Sequence, residues 1–469
     1  MGRRKKNRQP VEVVLDRLEE KHTSGAAADG KRWKVRGAPV GATVQAWPGR
    51  KQTARRVGIL APAVDQVAPP CPAFGTCGGC QLQEMPLSAQ RSHKQDLVTR
   101  LVAGEAGLDG VHVHAMTGAP AAYAYRNKVE LSWGTTRYAP EGTLHEAREA
   151  GTLEGSFLGF HPPGWFSRIV PLEGCAIASA AMNRVIEHVS ALGLGPAWDT
   201  RAHTGVWRHL VLRDAGTPTD PAVLVAFVTT TGASEEAVRA VAGGVAALPG
   251  VRSVLWITTD RLSEVAQGDL RAVLHGPPTM DFQLGGVNLQ LPHDAFFQVN
   301  SAGAEILLGV IEDALFGGET VAPGDAGTLL DLYCGVGAIG LALAHRFEKV
   351  VGVELHEGAI ACATANAAAN GIEGSWRAGA VEDILPELDV PSPRRIVVDP
   401  PRAGLHPRAA RFLATAEADV LVYVACGPKS LGRDRALLAE GGWRMTDLWS
   451  VDLFPQTHHS EAVARFVRG

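Results

Sequence analysis

Apolar and polar positions change rhythm along the chain. From about residue 294, short strand-like runs at 327–332, 349–353, 395–398 and 420–425 alternate with Ala-rich helical stretches such as 359–369. That is the βαβ rhythm of a doubly wound parallel sheet. Between 122 and 290, strand-like runs at Asn127–Trp133, Gly155–His161, His209–Arg213, Ala222–Thr230, Val254–Thr258 and Leu284–Leu291 are broken by helical patterns near 176–193 and 234–247, which predicts a mixed α+β domain. Three short runs, Trp33–Val35, Thr43–Trp47 and Thr53–Leu60, are separated by turns at Gly37–Gly41 and Pro48–Gly49. They predict a small β-barrel of OB type. The first 30 residues read as a basic tail with a mixed helical stretch and a loop at Ser24–Gly30. The expected division is a tail at 1–30, a barrel at 31–67, a central domain at 68–290 and an α/β domain at 291–469. A helix at 88–105 is expected to pack on the last of these.

No apolar run reaches the ~18–20 residues of a membrane span. The N-terminus lacks a signal-peptide core, and the residues after Gly2 lack a myristoylation pattern. The protein is therefore expected in the cytoplasm, as a monomer, with reduced thiols. Hydrophobic residues make up 46% and charged residues 20% of the 469, which excludes a disordered chain. The net charge of −4 argues at first against a nucleic-acid partner. It conceals an asymmetry: residues 1–60 hold 15 Lys and Arg against 5 Asp and Glu, and the remainder 30 against 44. A basic arm of +10 on an acidic body is a pointer to nucleic acid, with a solubilising tail as the plain alternative.

The candidate chemistry sits in the α/β region. The strand Leu329–Tyr333 runs into Gly335-x-Gly337-x-x-Gly340, and Glu354 ends the next strand. Such a turn lets a ligand approach the backbone at a helix N-terminus, and the carboxylate accepts ribose hydroxyls. The pattern fits both a nicotinamide dinucleotide and S-adenosylmethionine. Downstream, Asp399-Pro400-Pro401 at a strand's carboxyl end suits a nucleobase methyltransferase better than a dehydrogenase. Cys426, before Gly427-Pro428, stands where a nucleophile would, although buried inert cysteines are common. Glu461 is a candidate general base, and the adjacent His458 and His459 point to different faces, which discounts a metal site. One cysteine and one carboxylate suit methylation of an unreactive pyrimidine carbon. The thiolate adds to uracil C6, C5 attacks a methyl donor, and a base removes the C5 proton. The site is expected to lower the Cys426 pKa, and the target base must leave its stack.

Cys71, Cys77 and Cys80 form a tight group that, in a chain without a secretion signal, reads as a metal site rather than a disulfide framework. With these motifs in order, the chain resembles the RNA uracil-5-methyltransferase family, in particular its iron–sulfur branch that includes bacterial 23S ribosomal RNA enzymes. The resemblance extends from Trp33–Val67, similar to a TRAM domain, to Glu461. It implies a Rossmann-like C-terminal domain that uses S-adenosylmethionine, and RNA as partner. It also implies a [4Fe–4S] cluster on Cys71, Cys77, Cys80 and the distant Cys175, within the central domain; zinc on the same thiolates is the alternative. Tyr125–Glu130 resembles the central domain's opening strand. The family's cofactor contacts map to Gln298, Tyr333, Glu354 and Asp399, its nucleophile to Cys426 and its base to Glu461.

The chain departs from the family pattern at Gly427, usually Asn, at Ala338, and at Gly379–Ala380, so the cofactor's methionine or adenine end is expected to be held differently. Cys334 and Cys362 read as packing residues. The competing functions are a transfer-RNA uridine enzyme, an RNA cytosine methyltransferase, and an RNA-binding or assembly protein with an inactive catalytic domain.

Overall fold

The computed structural model describes residues 9–140, 143–388 and 395–468. Its first unit is a closed five-stranded barrel of Val11–Leu18, Thr23–Ala26, Arg32–Arg36, Thr43–Pro48 and Thr53–Ala61. Val13, Leu15, Trp33, Val35 and Val44 fill it. The barrel therefore starts well before residue 31. The stretch expected to be helical is its first strand, and the expected loop contains its second. Val11, Val13 and Leu15 alternate with Glu12, Val14 and Asp16, but a bulge between Leu15 and Arg17 interrupts the period and disguises the strand. The basic residues Arg3, Arg4, Lys5, Lys6 and Arg8 lie outside the described residues.

The central sheet has seven strands in the order Val170–Pro171, Glu154–Phe160, Lys128–Thr136, Trp207–Asp214, Val223–Thr229, Val251–Thr258, Asp269–His275. Trp207–Asp214 and Val223–Thr229 are buried along their whole length, so their sequences show no alternation. One face packs on the helices Ala180–Ala191 and Glu235–Ala246, around Trp207 and Phe227. The other face, with Leu224, Ala226 and Val228, joins a core shared with the C-terminal domain through the helix Ser301–Phe316. The run expected as one strand at 284–291 is half of a hairpin, Thr279–Leu284 with Val287–Pro292. Gly285 and Gly286 turn it, both at positive φ, 56° and 81°, which a two-residue hairpin turn demands.

In the C-terminal sheet the main strands run in the order Gly374–Ala378, Lys349–Glu354, Thr328–Leu332, Arg395–Val398, Val420–Ala425, Glu461–Arg468, Trp443–Asp452, and the short strands His112–Val113 and Thr117–Gly118 pair with the last of these. The first five strands run parallel, Glu461–Arg468 is antiparallel to both its neighbours, and the two short strands run parallel to Trp443–Asp452. Strand order reverses between Thr328–Leu332 and Arg395–Val398, and a crevice for ligands opens at such a point. Among the described residues no helix is long and apolar enough to cross a membrane.

The helix Leu87–Ala103 packs on this domain, against the helix Pro428–Glu440. Its Lys94 has no exposed surface and meets Asp452, equally buried, at 2.6 Å. Lys94 Nζ also donates to the Phe454 carbonyl at 3.0 Å. Arg91 reaches the other Asp452 oxygen only at 3.5 Å. Lys94→Met would leave the Asp452 charge buried and uncompensated. The expected loss is about 3–5 kcal/mol, read as a lower urea midpoint at constant slope. Lys94→Met with Asp452→Leu should recover most of it.

Candidate active site

The strand Thr328–Leu332 ends at Tyr333, whose φ is +63°. The turn that follows, with Gly335 and Gly337 also at positive φ, opens the helix Ala338–Leu343. Glu354, ending the neighbouring strand, accepts the Gly335 N–H at 3.2 Å and the His356 N–H at 3.0 Å. Asp399 follows Arg395–Val398, and its N–H donates to the Leu332 carbonyl at 3.2 Å. Tyr333, Glu354 and Asp399 therefore share one rim at the reversal point. Gln298 comes from a different element, the segment before Ser301–Phe316. Asn127 Nδ2 holds its carbonyl at 3.0 Å, and Asn300 caps that helix while donating to the Leu453 carbonyl at 2.9 Å.

Burial pushes the Asp399 carboxyl up to about 7 and the Tyr333 hydroxyl to about 12. The His406 backbone, within hydrogen-bonding reach of the Tyr333 hydroxyl, opposes that rise. Asp331, which the motif reading missed, is fully buried beneath the same turn. Its Oδ2 accepts the Gly340 N–H at 2.9 Å, its Oδ1 has no partner, and burial pushes it up to about 7. An acid within the apolar run Leu329-Leu330-Asp331-Leu332 was its signal. A rim of carboxylates, Glu354 and Asp399, beside a glycine-rich turn fits a polar, positively charged ligand such as S-adenosylmethionine.

Cys426 and Glu461, 35 positions apart, are brought face to face by sheet register. The antiparallel pairing Ala425↔Ala462 puts the next pair, Cys426 and Glu461, opposite one another at the strand ends. Glu461 is only 3% exposed. Burial first, then the Asp399 charge, drives its pKa well above the ordinary carboxylate value, with Arg402 opposing. The Cys426 thiol is raised too, by burial, then Glu461 and Asp399. The expected lowering of this pKa is not found, because burial and two carboxylates outweigh the one guanidinium, Arg402, that hydrogen-bonds the thiol. Arg402 also lies 3.4 Å from His459 Nδ1. The Asp399-Pro400-Pro401-Arg402 motif is legible in the sequence, but the part Arg402 plays beside Cys426 is not. Gly427 makes room for it: a Cβ there would sit 3.1 Å from the Arg402 carbonyl oxygen.

Two networks hold these groups. Asp434, fully buried, accepts the Leu405 N–H and the Tyr423 hydroxyl, both at 2.8 Å, tying the Asp399–Arg402 loop to the strand that ends in Cys426. Gly404, at φ +84°, is required there, since a Cβ would lie 2.4 Å from Asp434 Oδ2. The loop before Glu461 is held by its carbonyls. Tyr125 donates to Pro455 at 2.9 Å, and the N–H groups of Gln81 and Leu82 to Gln456 at 2.8 and 3.0 Å. Gln90 exchanges two hydrogen bonds with Gln456. Burial lowers His458 to about 3 and His459 to about 4, so both are neutral imidazoles.

Cys71, Cys77, Cys80 and Cys175 come together along a cavity of about 520 Å³, with Phe74, Phe160 and Leu172; Arg402 and His459 also line it. Burial pushes Cys77 to about 11 and Cys80 to about 12, and raises Cys175. The Gly79 N–H donates to Cys77 Sγ at 3.3 Å. Among the described residues, no group of three or more His, Cys, Asp or Glu is arranged to hold a metal ion.

The model of the tRNA (uracil-5-)-methyltransferase family matches residues 286–375 and 385–467. An uncharacterized RNA methyltransferase of Chlorobaculum tepidum is 33% identical over 474 residues, covering 97% of this chain and 95% of its own. One from Caldanaerobacter subterraneus is 32% identical over 469 residues, covering 96% and 98%. The crystal structure of Pyrococcus abyssi tRNA (uracil-54, C5)-methyltransferase with S-adenosyl-L-homocysteine superposes with a TM-score of 0.74 at 23% identity, over 97% of this chain and 99% of that one. With the barrel, the Rossmann-like sheet and these relatives in agreement, the chain belongs to the RNA uracil-5-methyltransferase family and is an S-adenosylmethionine-dependent RNA methyltransferase.

Proposed function

We propose that the protein methylates C5 of a uridine in RNA, with 23S ribosomal RNA as the leading substrate, using Cys426 as nucleophile and Glu461 as base. The observation that carries this reading is the opposed pair Cys426 and Glu461, set by the Ala425↔Ala462 register beside the cofactor rim. S-adenosylmethionine, when bound, supplies an electrophilic methyl group; Gln298, Tyr333, Glu354 and Asp399 are the residues that would hold it. The Cys426 thiolate sulfur forms a bond to C6, and C5 gains the electron density that would take the methyl as the sulfonium's S–CH3 bond breaks and the neutral thioether leaves. Glu461 then accepts the C5 proton, the C6–S bond breaks, and the C5=C6 double bond returns. The raised pKa of Glu461 makes it the stronger base for that step. Arg402, which hydrogen-bonds the Cys426 thiol, opposes the burial and the two carboxylates that raise its pKa.

A transfer-RNA uridine is the second reading, favoured by the Pyrococcus abyssi enzyme that shares this fold. A non-catalytic assembly protein would have no use for an opposed thiol and carboxylate. The four thiols along one cavity, with a backbone N–H on Cys77 Sγ, support a [4Fe–4S] cluster held by Cys71, Cys77, Cys80 and Cys175. A bound metal would deprotonate thiols that burial otherwise keeps neutral.

Cys426→Ala is expected to abolish methyl transfer from labelled cofactor while leaving cofactor binding intact. Glu461→Gln should accumulate a covalent protein–RNA adduct that survives denaturing electrophoresis, because addition proceeds and release does not. Arg402→Gln removes the group that lowers the Cys426 pKa. Alkylation of Cys426 by iodoacetamide should then require a higher pH than in the parent protein, with the Cys426→Ser protein as background. Anaerobically purified protein should contain iron and acid-labile sulfide, and Cys175→Ala should lose both.

A further inference from the structure

The loop between the strands Glu154–Phe160 and Val170–Pro171 carries features that the catalytic site does not use. Trp165 and Phe166, at its tip, are 51% and 72% exposed. Arg168 lies over the Trp165 ring at 5.4 Å. Behind the tip is a second cavity, of about 220 Å³, lined among others by His161, Phe166, Trp198 and Arg201. The Phe166 ring leans on His161, with centroids 6.5 Å apart. His161 Nδ1 donates to the Arg168 carbonyl at 3.0 Å, which leaves Nε2 as a lone-pair acceptor. Among the described residues that Nε2 is buried without a partner, and so is the donor Nε1 of Trp198, a residue only 5% exposed. Arg201 is anchored to Ser167 at 3.0 Å with its side chain at the surface.

We propose that this loop and cavity form a nucleobase-binding subsite for an unpaired RNA nucleotide other than the one methylated. Two adjacent exposed rings offer a stacking platform, the mode by which proteins hold splayed single-stranded bases. An unpaired acceptor and an unpaired donor complement the N–H and C=O groups on a base edge, and a protein hydrophobic patch would satisfy neither. Arg168 and Arg201 suit the flanking phosphates. The position agrees. Phe160 lines the cysteine cavity and His161 the second one, and a Cβ at Gly78, between two of the cysteines, would meet the His161 carbonyl at 3.2 Å. The subsite therefore backs directly onto the cavity that Arg402 and His459 also line. This inference rests on RNA as substrate, and it deepens that reading.

The test uses the full-length protein and naked transcripts of ribosomal and transfer RNA. Trp165→Ala with Phe166→Ala should raise KM and the RNA Kd about tenfold, the scale of losing a stacked base, with kcat at saturating RNA and cofactor Kd unchanged. Phe166→Tyr should behave as the parent, whereas Phe166→Leu should resemble the alanine protein. RNA carrying 5-iodouridine should crosslink to residues 165–166. An unchanged RNA Kd, or crosslinks that avoid the loop, overturns the proposal. So does an effect seen only on assembled ribosomal subunits, which would make this a protein-binding surface. RNA Kd is read directly, so a parent protein that binds RNA and methylates none defeats the catalytic reading alone.

Discussion

The buried ion pair between Lys94 and Asp452 is the constraint on which the rest of the site depends. Such a pair is a poor source of net stability, because desolvating both charges offsets their attraction. It is a strict source of position. Lys94 sits on the helix that follows the cysteine motif, and Asp452 ends the strand that leads into the loop before Glu461. That loop gives its carbonyls to donors from three other segments, through Asn300, Tyr125 and the backbone of Gln81–Leu82. A loop held from so many directions behaves as a rigid element, and a group mounted on it keeps its geometry. The cysteine segment is thus joined to the candidate base through two hydrogen bonds to one carbonyl, that of Gln456.

Around that frame the electrostatics are lopsided. Asp331, Asp399 and Glu461 gather at the carboxyl edge of one sheet, and burial raises all three. Neighbouring buried acids resist simultaneous ionisation. Arg402 is the counterweight that acts on both Cys426 and Glu461. A rim so rich in carboxylate and so poor in cations fits a positively charged sulfonium ligand.

How much of this was legible follows from where each signal lies. The strands before Tyr333, Asp399 and Cys426 were readable because each is a short apolar run closed by glycine or proline. The first barrel strand was not, since Glu12, Asp16 and Arg17 dilute it and a bulge breaks its period. The Gly285–Gly286 turn was written in the sequence and passed over, because the residues on either side formed one continuous apolar pattern. Cys426 and Glu461 could be named by resemblance, but their opposition is a property of register across two strands. Lys94 and Asp434 carry no local motif, and the motif that holds Arg402 does not show its part beside Cys426. Each matters through a partner supplied by another element, in the case of Lys94 358 positions away, and only the folded chain shows it.

The strand Glu461–Arg468 lies between Val420–Ala425 and Trp443–Asp452, both of which precede it in sequence. Those two strands do not pair with each other, because the strand that closes the gap between them is the last of the three in the chain and brings Glu461 with it. The pairing that joins the two parts of the sheet is the same pairing that sets Glu461 opposite Cys426, so the sheet cannot be complete with that carboxylate out of place.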